Sequence, residues 1–315
     1  MWLVKRLTVS VFLIWAVASI VFLALRFVPG DPAELLLTQG SSAPDQAMVE
    51  ELRAKLGLNK PILVQYVEAF RGILTGDLGH SLQDNSPVAD EVLKRLPRTL
   101  ELILAAGLIA IAVGLPIGIL ASLRPGGAFD RLSSFVAACL LASPVFVIGA
   151  IVLLVVSQIL RAVPAGGFVP FTQDPVQHLI LLLMPAGAIA ISLWAIVFRI
   201  TRTSILDVMT RAFVRTAKAK GLGPVRVLSG HVLRNALIPI VTVVALQLGT
   251  LFGGTVLVEF VFNWPGMSLL LVEAVNQRDY PMVQGIVLVV SILFVGLNLA
   301  VDLTYGWLDP RVRRA

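Results

Sequence analysis

Apolar residues in this chain come in long runs separated by short polar stretches, and the runs are too long for the core helices of a water-soluble domain. A helix needs about 20 mostly apolar residues to cross the hydrocarbon layer of a bilayer. Six stretches reach that length: Leu7 to Val28, Thr99 to Leu123, Leu132 to Ser157, Leu179 to Phe198, Ala236 to Val258 and Met282 to Tyr305. The pattern predicts an all-α polytopic membrane protein with six transmembrane helices and a small external helical region after the first. In that region the spacing becomes amphipathic. Asp45 to Leu56 sets Met48, Leu52 and Leu56 on one face and stops at Gly57, and Pro61 opens a second helix with Leu63, Val67, Phe70 and Leu74 on its apolar side. Gly76 to Gly79 turns the chain, and Ser86-Pro87 reads as the cap and first turn of a third helix bearing Val88, Val92 and Leu96. The organisation is then a first transmembrane helix (1–28), an external helical region (29–98), a five-helix core with a polar loop at 200–235 (99–306) and a short tail (307–315).

Composition agrees, with 57% hydrophobic and 14% charged residues. Charge placement fixes the expected orientation. Lys5, Arg6, Arg124, Arg131, the eight Lys and Arg from Arg199 to Arg234, and Arg311, Arg313 and Arg314 fall on one side, against Asp130, Asp207, Asp302 and Asp309. Basic residues in short loops stay inside, so both termini and the 200–235 loop are expected in the cytoplasm. No basic run is interleaved with base-stacking aromatics, so the charge is topology and not a nucleic-acid footprint. Lys5-Arg6 and the Ala16-Val17-Ala18 run resemble a signal peptide, but apolar residues continue to Val28, which favours a retained span.

Small and kinking residues mark several spans: Gly107, Gly114, Pro116 and Gly118 in the second, Pro144 in the third, Pro185 and Gly187 in the fourth. Gly114 and Gly118 have the spacing of a close helix contact. Gln247 is the main polar residue of the fifth span and should face the bundle or a cavity. Glu259 to Pro281 forms an external return in which Met267 to Val275 is expected as a short amphipathic helix over the pore mouth. Arg26 should reach headgroups or an acid, and Asp302 should pair with an arginine. Cys139 has no partner for an intrachain disulfide. His80 with Asp77 or Asp84 lacks convincing ligand spacing, so no metal site is expected.

One polar stretch stands out, from Phe213 to Pro239. Helix formers run to Lys220, Gly221 to Gly223 supplies a stop, and Pro224 suits the first turn of a second helix in which Val225, Leu228 and Val232 are spaced to share a face. The chain holds no glycine-lysine phosphate loop, dinucleotide fingerprint, His-Glu-x-x-His pair or nucleophile elbow, so it is not expected to be an ATPase or other enzyme.

Arg215-Thr216-Ala217, then Gly221, then His231-Val232-Leu233 resembles the coupling-loop signature of bacterial ABC-importer permeases. Arg215 and Arg234 stand where the general signature has glutamate and proline. With the Arg234 to Pro239 run, this is similar to the dipeptide, oligopeptide and nickel branch, first-permease type. Val28 to Pro32, Gly76 to Ser81, Asn263 to Gly266, Arg278 to Pro281 and Leu308 to Arg311 extend the resemblance over nearly the whole chain. It implies a permease subunit in a bacterial inner membrane, working with a second homologous permease, two ATP-binding subunits that hold ATP and Mg, an extracytoplasmic solute-binding protein and membrane lipid. Phe213, Arg215, Thr216, Ala217, Lys218, Gly221, Leu222, His231, Leu233 and Arg234 would then form the ATPase-coupling loop. The helices bearing Gly114, Pro144, Pro185 and Gln247 would form the translocation path. An ion-coupled transporter would be expected to place acids at mid-membrane, whereas Glu101 and Asp302 lie near span ends. A channel or scaffold has no need of the glycine knuckle.

Overall fold

A computed structural model describes residues 2–27, 33–34, 37, 46–55, 57–159 and 166–308. Among them there are helices and no strands; the one β-type pairing is an isolated bridge between His80 and Pro87. Five helices are long and apolar enough to cross a membrane: Val4–Phe27, Val88–Leu123, Pro175–Met209, Pro224–Gly254 and Tyr280–Ala300. A sixth candidate is broken, Ala128–Ala142 and Val145–Ile159 meeting at 101°. The break sits at Ser143-Pro144. Proline disfavours helical backbone in the residue before it, and Ser143 is extended (φ −94, ψ 129) with its hydroxyl donating to the Cys139 carbonyl at 2.9 Å. The third span expected over Leu132 to Ser157 is therefore two helices, parted at the Pro144 marked as a kinking residue.

A second departure lies just before the second span. The expected third external helix is not separate: Val88–Leu123 is one helix of 36 residues. Its start is as expected, but no glycine or polar cluster stops it, and Pro97 alone does not break the run. We number the helices α1 (Trp2–Phe27), α2 (Gln46–Lys55), α3 (Ile62–Thr75), α4 (Val88–Leu123), α5 (Ala128–Ala142), α6 (Val145–Leu153), α7 (Pro175–Met209), α8 (Ala212–Ala219), α9 (Pro224–Val227), α10 (Arg234–Gly254), α11 (Val256–Val261), α12 (Met267–Asn276) and α13 (Tyr280–Leu308). Asp302 and the motifs at Val28 to Pro32 and Leu308 to Arg311 fall at or beyond the limits of what is described; the side chain of Asp302 lies outside the described residues.

The chain forms two compact units. The first comprises residues 1–99 and 266–315. Here α1 lies along α13, and Val88 and Val92 join Met267, Leu270, Met282 and Ile286 in one buried cluster. Helix α3 rests on α1: Tyr66 Oη meets Ser19 Oγ at 2.8 Å and its ring stands edge-on to Phe22. Two motifs noted in the sequence meet here. Asp279, buried, accepts hydrogen bonds from Ser81 Oγ (2.6 Å), the Leu82 N–H (3.2 Å) and the Met282 N–H (3.3 Å). Asp77 accepts from the Gly79 N–H, and Asp84 accepts from the Ser86 N–H and hydroxyl, bonds that hold the Asp84 carboxyl below its usual range. These carboxylates shape turns, and the residues around His80 form no metal-ligand cluster.

The second unit, residues 100–265, is built on α7, against which α5, α6 and α10 pack. Helices α4 and α7 come close because Gly114 and Gly118 carry no side chain. A Cβ on Gly114 would sit 2.9 Å from Val197, and one on Gly118 would sit 2.7 Å from Thr201. The expected close contact is present.

Candidate functional site

At about 1.5 Å per residue the 35-residue α7 is about 52 Å long, well beyond a hydrocarbon core of about 30 Å. It must project from the bilayer. Its last turn leads through Thr210 and Arg211, whose extended backbone (φ −71, ψ 149) starts α8. Two residues anchor that short helix. Val214 and Ala217, three apart, are buried in a cluster with Ile205, Val208, Val227 and Val232, which joins α7, α8 and the start of the next helix. The remaining surface faces outward: Phe213 is 40% exposed, and Arg215, Thr216, Lys218 and Lys220 are exposed. None of these basic groups has an ion-pair partner among the described residues.

The end of α8 is a Schellman stop. The Gly221 N–H donates to the Lys218 carbonyl (3.0 Å) and the Leu222 N–H to the Ala217 carbonyl (3.3 Å), with Gly221 at φ +79. That left-handed backbone is why glycine is needed. Gly223 then caps α9, with Pro224 in its first turn. The apolar face of the second helix differs from expectation. Val225 is 76% exposed; Val227 and Val232 are buried and Leu228 is half-buried. The cause is a π-helical stretch at Leu228–Leu233, whose wider turn breaks the seven-residue register between Val225 and Val232. His231 and Leu233 are half-buried, Leu222 likewise, and Arg234 is exposed.

An arginine–aspartate ion pair and a histidine–glutamate hydrogen bond hold α7 at its two ends, and sequence reasoning missed both. Near its last turns, Arg202 Nε and Nη2 contact Asp130 Oδ1 and Oδ2 at 2.5 and 2.8 Å. Asp130 is 3% exposed and also accepts from the Gly126 N–H at 2.7 Å. At the opposite end His178, 1% exposed, lies 2.7 Å from both Glu101 Oε1 and the Val169 carbonyl. Both ring nitrogens lie within hydrogen-bond distance of an oxygen, one on the Glu101 side chain and one on the backbone of Val169. Phe168, Phe171 and Trp264 surround the imidazole edge-on. Acidic and basic side chains at matching ends of two spans were the available signal.

The candidate path residues are dispersed. Gly114 is buried against α7, Pro185 is buried inside α7, Pro144 is exposed at the 101° bend, and Gln247 is half-buried on α10. Two cavities in this unit, about 460 and 270 Å³, share Leu141, Arg199 and Thr203. None of the four residues lines either cavity.

Residues 114–314 match the family described as the inner membrane component of binding-protein-dependent transport systems, and residues 1–103 match the N-terminal region of such membrane components. The chain belongs to this permease family. It is 36% identical to the dipeptide transport system permease DppB of Escherichia coli (strain K12), covering 99% of this chain and 98% of that one. A probable peptide ABC transporter permease of Sinorhizobium fredii is 37% identical, with 99% of both chains covered. The glutathione transport system permease GsiC of Escherichia coli O6:H1 is 38% identical over 99% of this chain and 98% of that one. A crystal structure of an amino acid ABC transporter with histidines matches the fold at a TM-score of 0.53 and 16% identity, covering 68% of this chain and 92% of that chain. The permease is thus a multi-pass inner-membrane subunit of an ABC importer. As such it works with ATPase and substrate-binding partners, and ATP hydrolysis belongs to separate subunits.

Proposed function

We propose that the chain forms half of the translocation path of an ATP-driven importer of small peptides and receives the push of the ATPases on α8. In this reading it pairs with a second homologous permease and two ATP-binding subunits, which hold ATP and Mg, and an extracytoplasmic solute-binding protein delivers the peptide. Both termini and the α8 knuckle lie in the cytoplasm. The observation that carries it is the construction of α8. Val214 and Ala217 fix the helix to the end of α7, while Phe213, Arg215, Thr216 and Lys218 stand free to meet a partner. A push on α8 passes through that cluster into α7, the helix on which the second unit is built. The peptide class rests on the dipeptide, peptide and glutathione permeases, since glutathione is itself a tripeptide.

The test reconstitutes the permease with its partner permease, ATPases and binding protein in proteoliposomes and follows uptake of labelled di- and tripeptides. ATP-dependent uptake that stops when the ATPases are omitted is expected. ATP-independent uptake by the permease alone would overturn the reading. Orientation is read in a Cys139→Ser background from cysteines placed at Gln173 and Lys220, beyond opposite ends of α7. They should label from opposite sides of the membrane, and labelling of both from outside would reverse the assignment.

A further inference from the structure

The first unit contains a cavity of about 400 Å³ that the transport reading does not use. It opens among α1, α3 and the start of α13, with Arg26, Gln65, Gln284 and Tyr280 among its lining. Arg26 is the penultimate residue of the apolar Val4–Phe27 helix, and Tyr280 opens the last span. Both positions are span ends, which sets the cavity at the level of lipid headgroups.

Its polar groups are out of balance. Arg26 is half-buried, lies 3.5 Å over the Phe22 ring, and makes hydrogen bonds only to neutral oxygens: Nε and Nη2 to Gln65 Oε1 at 3.1 and 3.0 Å, and Nη1 to the Phe22 carbonyl at 3.2 Å. Among the described residues no carboxylate pairs with it. A guanidinium has five N–H donors, so two remain. Gln284 Nε2, also in the lining, is buried without an acceptor. The two acids present are already engaged: both Glu68 oxygens take Lys60 Nζ at 2.7 and 2.8 Å, and Asp77 takes the Gly79 N–H at 2.9 Å. The lining carries Arg26, Lys55 and Lys60 against Glu68 and Asp77, so its net charge is positive. Leu58, Ile73 and Leu288 add an apolar flank.

We propose that this cavity binds a phosphate group, with Arg26 and the Gln284 amide on its oxygens and the apolar flank against the carbon portion of a phosphate ester. An anionic phospholipid headgroup and a free phosphate share this chemistry. A half-buried cation with no carboxylate beside it among the described residues, and a buried amide donor with no acceptor, each gain from the same anionic ligand. A phospholipid seated here would tie α3 to α1 and α13.

The experiment uses the full-length permease, purified and exchanged into phosphatidylcholine nanodiscs, with native mass spectrometry of retained phosphatidylglycerol and, separately, binding of inorganic phosphate. The expected result is one phosphatidylglycerol retained per chain in preference to phosphatidylcholine, with affinity at least tenfold weaker in Arg26→Gln and severalfold weaker in Gln284→Leu. Arg26→Lys should keep part of the binding. Thermal midpoints check folding, and if Arg26→Gln does not fold, Gln284→Leu, which removes only an unpaired amide, carries the test. Preference for phosphatidylglycerol unaffected by inorganic phosphate assigns the site to lipid. Saturable phosphate binding with no lipid preference, lost in the same variants, assigns it to the free anion. Equal retention by wild type and both variants, or no binding of either probe, overturns the proposal. ATP-driven uptake is not the readout, so the outcome is independent of the transport reading.

Discussion

Helix α8 and the loop around Asp279 both carry motifs of the permease family, and they use them in opposite ways. In α8 only Val214 and Ala217 are buried, and the basic residues point outward with no partner among the described residues. At Asp279 the motif is turned inward: a carboxylate 2% exposed gathers donors from a segment nearly 200 positions earlier in the chain. The first is an exposed cationic surface, the one proposed to meet the ATPases. The second is an internal joint already complete. A motif in a sequence therefore does not say whether its residues serve binding or assembly; burial and hydrogen bonding do.

The contrast predicts a split between loss of protein and loss of docking. Asp279→Ala should have the largest effect on the folded protein. It leaves Ser81 Oγ and two backbone N–H groups without an acceptor, at about 1–3 kcal/mol for each buried donor, so we expect destabilisation of about 3 kcal/mol or more. Permease abundance in membranes and the thermal midpoint in detergent measure it, and wild-type values for both would show that the joint is dispensable. Asp130→Ala comes next. It strands Arg202, whose side chain is 26% exposed, so the cost should fall to about 2 kcal/mol, below that of breaking a fully buried pair. The same two measurements apply, and Asp130→Glu should recover part of the loss.

Gly221→Val tests the surface side of the comparison. A Cβ there meets nothing within 4 Å, so the penalty is the left-handed backbone alone, about 1–3 kcal/mol in a loop outside the spans. Abundance should hold while co-purification of the ATPase subunits and peptide uptake fall. Normal docking and uptake at equal abundance would reduce Gly221 to a helix stop. The smallest effect on stability belongs to Lys218→Ala, within about 0.5 kcal/mol, because the side chain is exposed. Weakened docking at unchanged stability would confirm a contact surface; a drop in midpoint would place Lys218 in the joint class instead.

Much of the fold was legible because its signals are local. Run length gave the spans, and Gly76, Gly221 and Pro224 marked stops and starts where the structure has them. The Gly114 and Gly118 spacing marked a close helix contact, and the structure makes it with α7. What was not legible depends on how turns add up or on pairs far apart in sequence. The fusion of the third external helix into α4 turned on the absence of a stop, and the bend at Pro144 could not be told in advance from the unbroken helix at Pro185. The exposure of Val225 follows from a π turn that periodicity cannot see. Of the site, the outward residues of α8 were readable as a loop signature, whereas Asp130 with Arg202 and Glu101 with His178 join residues 72 and 77 positions apart. Each looked like an ordinary charge near a span end.

The cationic surface of α8 also sets a competition. On the proposed orientation Arg211, Arg215, Lys218 and Lys220 are exposed on the cytoplasmic side, and anionic lipid of the inner leaflet attracts a basic side chain near its surface by about 1 kcal/mol. An ATPase docking on α8, as proposed, would compete with that attraction, and both are screened over a Debye length of about 10 Å at 0.1 M salt. Assembly rate should therefore depend on ionic strength and on the anionic lipid fraction together, so that the membrane's own composition acts as a governor on how readily the importer is assembled.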